Sequence, residues 1–165
     1  MDLFKVYAMT YDVNKKCSRL YFLGGEVVEV ATSPRSILEK LCLMMGSSMQ
    51  GRMDAFKHLV KVQKKVPVLV SQCRECIFFP TNGVNVEDGI WLQYKYIKKV
   101  TSVTTSKCIV HFNDGNEMVL PVGCRVIYKQ LKRCREFFSA ISSTVDSREI
   151  IDGEVCYTID GDLDE

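Results

Sequence analysis

Histidine occurs only twice in the 165 residues, proline four times and tryptophan once. Neither imidazole, His58 or His111, sits in a nucleophile or metalloprotease motif such as GxSxG or HExxH, so a general base for hydrolysis is missing at the level of pattern. Each reads as a structural or surface histidine. Carboxylates in the body of the chain are scattered, no close pair suggests acid/base work, and a non-enzymatic protein is expected. Long apolar runs are lacking too. A membrane span needs roughly 18 uninterrupted apolar residues, and the longest uncharged stretch, 41–51, turns to serine, glycine and glutamine before its end. The first eleven residues carry Asp2 and Lys5 and then alternate, instead of building the apolar segment of a secretory signal. The expectation is a cytoplasmic protein without a membrane partner.

Cysteine is plentiful, at positions 17, 42, 73, 76, 108, 124, 134 and 156. A disulfide scaffold suits a shorter exported chain with a weaker core, so these read as reduced thiols. Cys73 and Cys76 have metal-ligand spacing, but a structural zinc site takes four ligands and no second CxxC or CxxH follows. No metal or other cofactor is expected.

What the chain does have is an apolar share of 47% with 25% charged residues, enough for one sizeable core. Its formal charge of +2 is distributed unevenly. Residues 144–165 hold eight acidic side chains against Arg148 alone, a net of −7, whereas residues 1–143 hold 21 Lys and Arg against 12 Asp and Glu, a net of +9. A basic domain (1–143) with an acidic C-terminal tail (144–165) is the asymmetry that suggests a polyanionic partner, nucleic acid above all.

Pattern predicts the order of elements. Strands are expected at 4–11, 19–23 and 26–32, the last two flanking a Gly24-Gly25 turn. Ser33 and Pro34 then start a helix to about Met45, stopped by Gly46. A short amphipathic helix is expected within 53–65, where Met53, Phe56 and Val60 share one face and Lys57, Lys61 and Lys64 another. Further strands are predicted at 66–70, 76–79, 91–94, 97–104, 108–112 and 117–122, the last two joined through Asp114-Gly115. The clearest helix is 123–142, with Ile127, Leu131, Cys134, Phe138 and Ile141 on one stripe and Arg125, Lys129 and Lys132 opposite. No internal repeat is apparent, and 155–159 reads as one extra strand. The class is α+β: a mainly antiparallel sheet with two or three packed helices in a single domain.

The segment Gly46-Ser47-Ser48-Met49-Gln50-Gly51-Arg52 shares the glycine spacing of a phosphate loop, but Arg52 replaces its lysine and Met53 its metal-binding hydroxyl. Read as a connecting loop, it offers Ser47, Ser48, Gln50, the Gly51 backbone and Arg52 to phosphates or groove edges, with Lys57, Lys61 and Lys64 beside it. A helix-connecting turn without a ligand accounts for the same residues. A phosphate-ligand-binding protein and a protein-interaction module are the rival functional readings.

That segment, with Pro67 to Val70, Phe79-Pro80-Thr81, Trp91, Phe112, Gly115, Leu120-Pro121 and Gln130, resembles the bacterial competence transcription factor (ComK) family over roughly residues 40–138, whereas the N-terminal strands match poorly. The resemblance implies a sequence-selective transcriptional activator of DNA-uptake genes that binds A/T-rich double-stranded DNA from the minor groove and needs no cofactor. It further implies pairing of copies on DNA, capture by an adaptor for Clp-type proteolysis, and a place at the nucleoid. On this reading Ser47, Ser48, Gln50, Gly51, Arg52, Lys57, Lys61 and Lys64 contact DNA. The acidic tail stands where the family has a longer C-terminal region for adaptor recruitment.

Overall fold

The computed structural model describes residues 1–82 and 89–142; the acidic tail, including the strand read at 155–159, lies outside them. In chain order the elements are β1 (Val6–Asp12), β2 (Cys17–Phe22), β3 (Val27–Val30), α1 (Pro34–Met44), α2 (Met49–Val60), β4 (Val68–Ser71), β5 (Cys76–Pro80), β6 (Trp91–Gln93), β7 (Ile97–Thr104), β8 (Lys107–Phe112), β9 (Glu117–Leu120) and α3 (Cys124–Ser142). Single 3₁₀ turns, Leu3–Lys5 and Tyr94–Tyr96, lead into β1 and β7. The class is α+β as expected, but the strands form two antiparallel sheets: six strands in the order β3-β2-β1-β6-β5-β4, and three in the order β7-β8-β9.

The short strands β4, β5 and β6 are buried along their whole length. Because side chains alternate across a strand, their residues divide between two cores. Val68, Val70, Cys76, Phe78 and Trp91 join α1 residues Ile37, Leu38, Leu41 and Cys42 on one face. Leu69, Ile77, Phe79 and Leu92 join Phe56 of α2, Val110 and Phe112 of β8 and Ile127, Cys134 and Phe137 of α3 on the other. Strands covered on both sides lose the apolar/polar alternation, which is why Cys76-Ile77-Phe78-Phe79 reads as a continuous apolar run.

The two covers are copies of one unit, which the sequence did not reveal. A 3₁₀ turn, three antiparallel strands and a helix occur at 3–44 and again from 94 onward, and from β2 to the start of the helix every boundary repeats at a shift of 90 residues: Cys17 with Lys107, Phe22 with Phe112, Pro34 with Cys124. The details repeat as well. The first strand of each unit carries a register irregularity after its opening residue, Val6/Ala8 and Ile97/Lys99. Phe22 and Phe112 each accept from the glycine three residues on, and both Gly25 and Gly115 sit at positive φ, +96° and +88°, a conformation that favours glycine. Leu23 donates to Lys5 O at 3.0 Å where Asn113 donates to Tyr96 O at 2.9 Å. Of the paired positions, Phe22/Phe112, Gly25/Gly115, Arg35/Arg125, Ile37/Ile127 and Leu41/Leu131 are identical.

Equivalent parts of the two units meet. The Gly24 N–H donates to Asp114 Oδ2 at 2.9 Å, joining the same position of the two turns, and Tyr96 Oη donates to Phe4 O at 3.0 Å, joining the two 3₁₀ turns. Contacts between like positions are what an approximate two-fold relation produces.

Helix limits differ from expectation at one place. α2 starts at Met49, not 53, because Ser48 caps it by accepting from the Gly51 N–H at 2.9 Å, and it ends at Val60 with Lys61 in a left-handed C-cap (φ 60°). Residues 45–48 alone form the connection, and Lys64 lies beyond the helix. Among the described residues no helix is long and apolar enough to cross a membrane.

The Asp114 carboxyl is pushed up by its partial burial, but hydrogen bonds from the Asn116 and Gly24 backbone N–H groups and the Asn116 side chain outweigh this and hold it below its ordinary value. A depressed carboxylate stabilises the folded state above its unfolded pKa, about 3.9, and that contribution is lost as pH falls through the folded value. Asp114→Asn is expected to lower the melting temperature at pH 7 and to differ little from wild type at pH 2, measured by thermal unfolding at both.

Candidate nucleic-acid interface

The residues read from sequence as DNA contacts do not converge. Ser48 is committed to capping α2, Gly51 gives it its N–H, and a Cβ at Gly51 would lie 3.1 Å from Ser48 Oγ. Gln50 Nε2 donates to Asp54 Oδ1 at 2.9 Å. Arg52 is on the first turns of a packed helix, not on a loop: its Nη2 donates to Met45 O at 3.3 Å, and its Nε is buried with no hydrogen-bond partner. Its guanidinium ties α2 to the end of α1, so it has the structural role that a loop position would have spared it. Ser47 is half-buried, Lys57 stands in the last turn of α2 and Lys61 caps it, both on the row that also holds Gln50 and Asp54. The helix that begins after Ser48 is about 18 Å long, twelve residues rising about 1.5 Å each, and Lys64 lies past its far end.

Lys64 instead joins a cationic groove. Lys64 and Lys65, in the turn after α2, face Arg125, Lys129 and Arg133, which recur every fourth residue along the N-terminal half of α3, and together with Val126 and Gln130 they line a groove of about 500 Å³. Among the described residues no carboxylate lines it, and none of its five cations is in an ion pair. Like charges crowded this way attract an anion from water and raise its local concentration.

Gln130 builds the groove. Although polar, it is 1% exposed, and its Nε2 donates to Lys65 O and to Pro80 O, both at 2.8 Å. Arg133 Nη1 adds a bond to Lys64 O at 3.2 Å and one to Gln130 Oε1 at 3.1 Å. The Lys64-Lys65 backbone is thereby fastened to α3, and Lys65 is held at φ 53°. Sequence reading put Arg125 and Lys129 on a basic face and named Gln130 only among the residues of the family resemblance, and it missed Lys65 and Arg133. The fourfold spacing of Arg125, Lys129 and Arg133 was a usable signal; the folding of the 64–65 turn onto that row was not.

The other candidates separate. His111 sits in a surface ladder, with Nε2 2.8 Å from Thr101 Oγ1 and Nδ1 3.0 Å from Glu117, and His58 is exposed. Cys76 is in the core, where burial pushes its thiol up to about 12, while Cys73 is exposed in the turn between β4 and β5. Among the described residues no group of three or more His, Cys, Asp or Glu is placed to hold a metal.

Against known proteins, the family described as ComK protein matches residues 5–146. The chain belongs to the ComK family. The match takes in the N-terminal strands as well as 40–138, so the resemblance is wider than the sequence reading gave it, and it ends at residue 146, just inside the acidic tail. One curated relative, the competence transcription factor of Bacillus subtilis (strain 168), is 24% identical over 122 residues, covering 74% of this chain and 64% of the relative. No solved structure matches.

Gln130→Leu removes two donors and leaves the Lys65 and Pro80 carbonyls without their partner. A buried unsatisfied group costs about 1–3 kcal/mol, so a loss of about 2 kcal/mol or more is expected in denaturant unfolding, against little change for the exposed Lys129→Gln.

Proposed function

We propose that this ComK-family chain is a sequence-selective DNA-binding regulator of competence genes that reads A/T-rich duplex from the minor groove and holds the flanking phosphates with the α3 groove. Family membership supplies the regulatory role, and one structural observation supports a nucleic-acid partner: five cations on one groove, with no ion pair to any of them and no carboxylate in the lining among the described residues. Arginine and lysine exploit the narrow, electronegative minor groove of A-tracts, and lysines beside it hold phosphates. Of the contact set read from sequence, Lys57, Lys61 and Lys64 are kept as phosphate contacts. Ser48, Gln50, Gly51 and Arg52 have hydrogen bonds committed within the protein, and we assign them, with Ser47, to placing α2. The protein would act at the nucleoid, as paired copies on DNA, without a cofactor. Capture by an adaptor for Clp-type proteolysis stays part of this reading on the ground of family membership.

Neutralising about five phosphates makes log K fall with log salt at a slope near −4 to −5. Fluorescence anisotropy across a salt series should give that slope, with A/T-rich duplex preferred over G/C-rich duplex and displaced by a minor-groove ligand. A flat salt response rules out the DNA reading, and displacement by a major-groove blocker alone rules out the groove.

The net −7 of residues 144–165 on a body of +9 suits competition with DNA for the same cations, since charges within the screening length of about 8 Å attract strongly. Deleting 144–165 is expected to raise affinity for random duplex most at low salt, measured beside the full chain; unchanged affinity removes this masking role.

A further inference from the structure

The cationic groove has a counterpart. In the first unit Arg35, Glu39 and Leu43 of α1, with Ser48, Met49 and Gln50 at the start of α2, line a smaller groove of about 240 Å³. At the shift of 90 residues these helix positions correspond to Arg125, Lys129 and Arg133. The two grooves are therefore one feature in two copies, each made by the same i, i+4, i+8 row and closed by one end of the α2 segment: its N-terminus against α1, its C-terminal turn against α3.

The copies have diverged in charge. Arg35, the identical partner of Arg125, is neutralised by Glu39 through an Nε–Oε1 contact of 3.1 Å, where the second unit has Lys129. Leu43 stands where the second unit has Arg133, and the α2 residues contribute a hydroxyl, a thioether and an amide where the turn contributes Lys64 and Lys65. Along α3 the cations repeat about every 6 Å, four residues at 1.5 Å each. A duplex strand presents one phosphate per roughly 3.4 Å of helix axis, so an open row of this kind fits a linear polyanion better than a single small one.

We propose that, of the two paired grooves, the α3 groove alone grips phosphodiester, with Lys57 and Lys61 of α2 as added contacts that belong to neither unit. The proposal rests on the DNA-binding reading above. It makes the chain electrostatically polar despite its repeated fold: a site with dyad symmetry needs two chains, one for each half, because one chain does not offer two equivalent grips.

The test is anisotropy with an A/T-rich duplex and a random duplex over a salt series, on the full chain and three variants. Arg125→Gln/Lys129→Gln should reduce the salt slope by about 2 and weaken both duplexes alike by tenfold or more, at about 0.9 of slope per phosphate contact. Arg35→Gln should leave slope and affinity at wild-type values. Glu39→Lys/Leu43→Arg, which gives the first groove the charge of the second, should steepen the slope by 1 to 2. Loss from Arg35→Gln equal to that from the α3 variant overturns the one-sided grip, as does an α3 variant that binds like wild type. Should the α3 variant melt early, the exposed single variant Lys129→Gln decides: its slope should fall by about 1, and an unchanged slope there overturns the proposal. Absence of binding by the wild-type chain rejects the DNA reading itself, a result distinct from wild-type binding that no groove variant alters.

Discussion

Three short strands that no water reaches set the terms for this protein. β4, β5 and β6 bury Phe78 and Trp91 on one side and Phe79 and Leu92 on the other, so they need an apolar cover on both faces. The chain supplies the cover twice from one design, a βββα unit before the central strands and another after them. One unit joins the central sheet edge to edge through β1 and β6; the other keeps its own three-stranded sheet and reaches the second core through β8 and α3. The central layer is thus flanked by α1 on one side and by α2, β8 and α3 on the other.

The meeting of like parts follows from that arrangement. Two copies that approach the same layer from opposite sides come together at corresponding points, here the turns joined by Gly24 and Asp114 and the 3₁₀ turns joined by Phe4 and Tyr96. The Tyr7 and Phe112 rings, 4.2 Å apart between centroids, extend that junction into the core. α2 belongs to neither copy, and its two ends serve the helices of both, which explains why the segment from Gly46 to Lys65 looks in sequence like one basic region and in space is divided between two places.

Local elements were legible because their signals are local. The Ser33-Pro34 start of α1, the Asp114-Gly115 turn and the stripe on α3 depend on capping, positive φ and a 3.6-residue period, each confined to a few neighbours. The start of α2 was missed because a serine-glycine run suits a loop as well as a capped helix, and Ser48 is distinguished only by the bond it makes to Gly51. The duplication was hidden for a different reason. Phe22, Gly25, Arg35, Ile37 and Leu41 keep their identities in the second unit, but the intervening positions preserve only the alternation and spacing that any strand-strand-helix unit would have. The site was half legible: a basic row on α3 is periodic and visible, whereas the approach of Lys64 and Lys65 depends on Gln130, whose polar side chain on a buried face is a contact across 65 residues.

Gln130 also shows why the charge is concentrated on one side. Five lysine and arginine side chains facing one another repel, and a turn carrying Lys64 and Lys65 would move away from α3 if nothing opposed it. The bond from Gln130 to Lys65 O and the one from Arg133 to Lys64 O are made to backbone carbonyls, so they hold the turn without neutralising any of its lysines, while Gln130's second bond, to Pro80 O, fixes the amide to β5. The first unit has no such arrangement at the corresponding place. Lys40, the counterpart of Gln130, is exposed, and the closing segment is the capped start of α2, fixed by Ser48 and by Arg52 to Met45. Where a neutral helix end closes the groove, no tether against repulsion is needed and an Arg35–Glu39 pair is tolerated. Where two lysines close it, a buried amide has to hold them, and the presence of that amide in α3 alone is the structural mark of a groove kept charged.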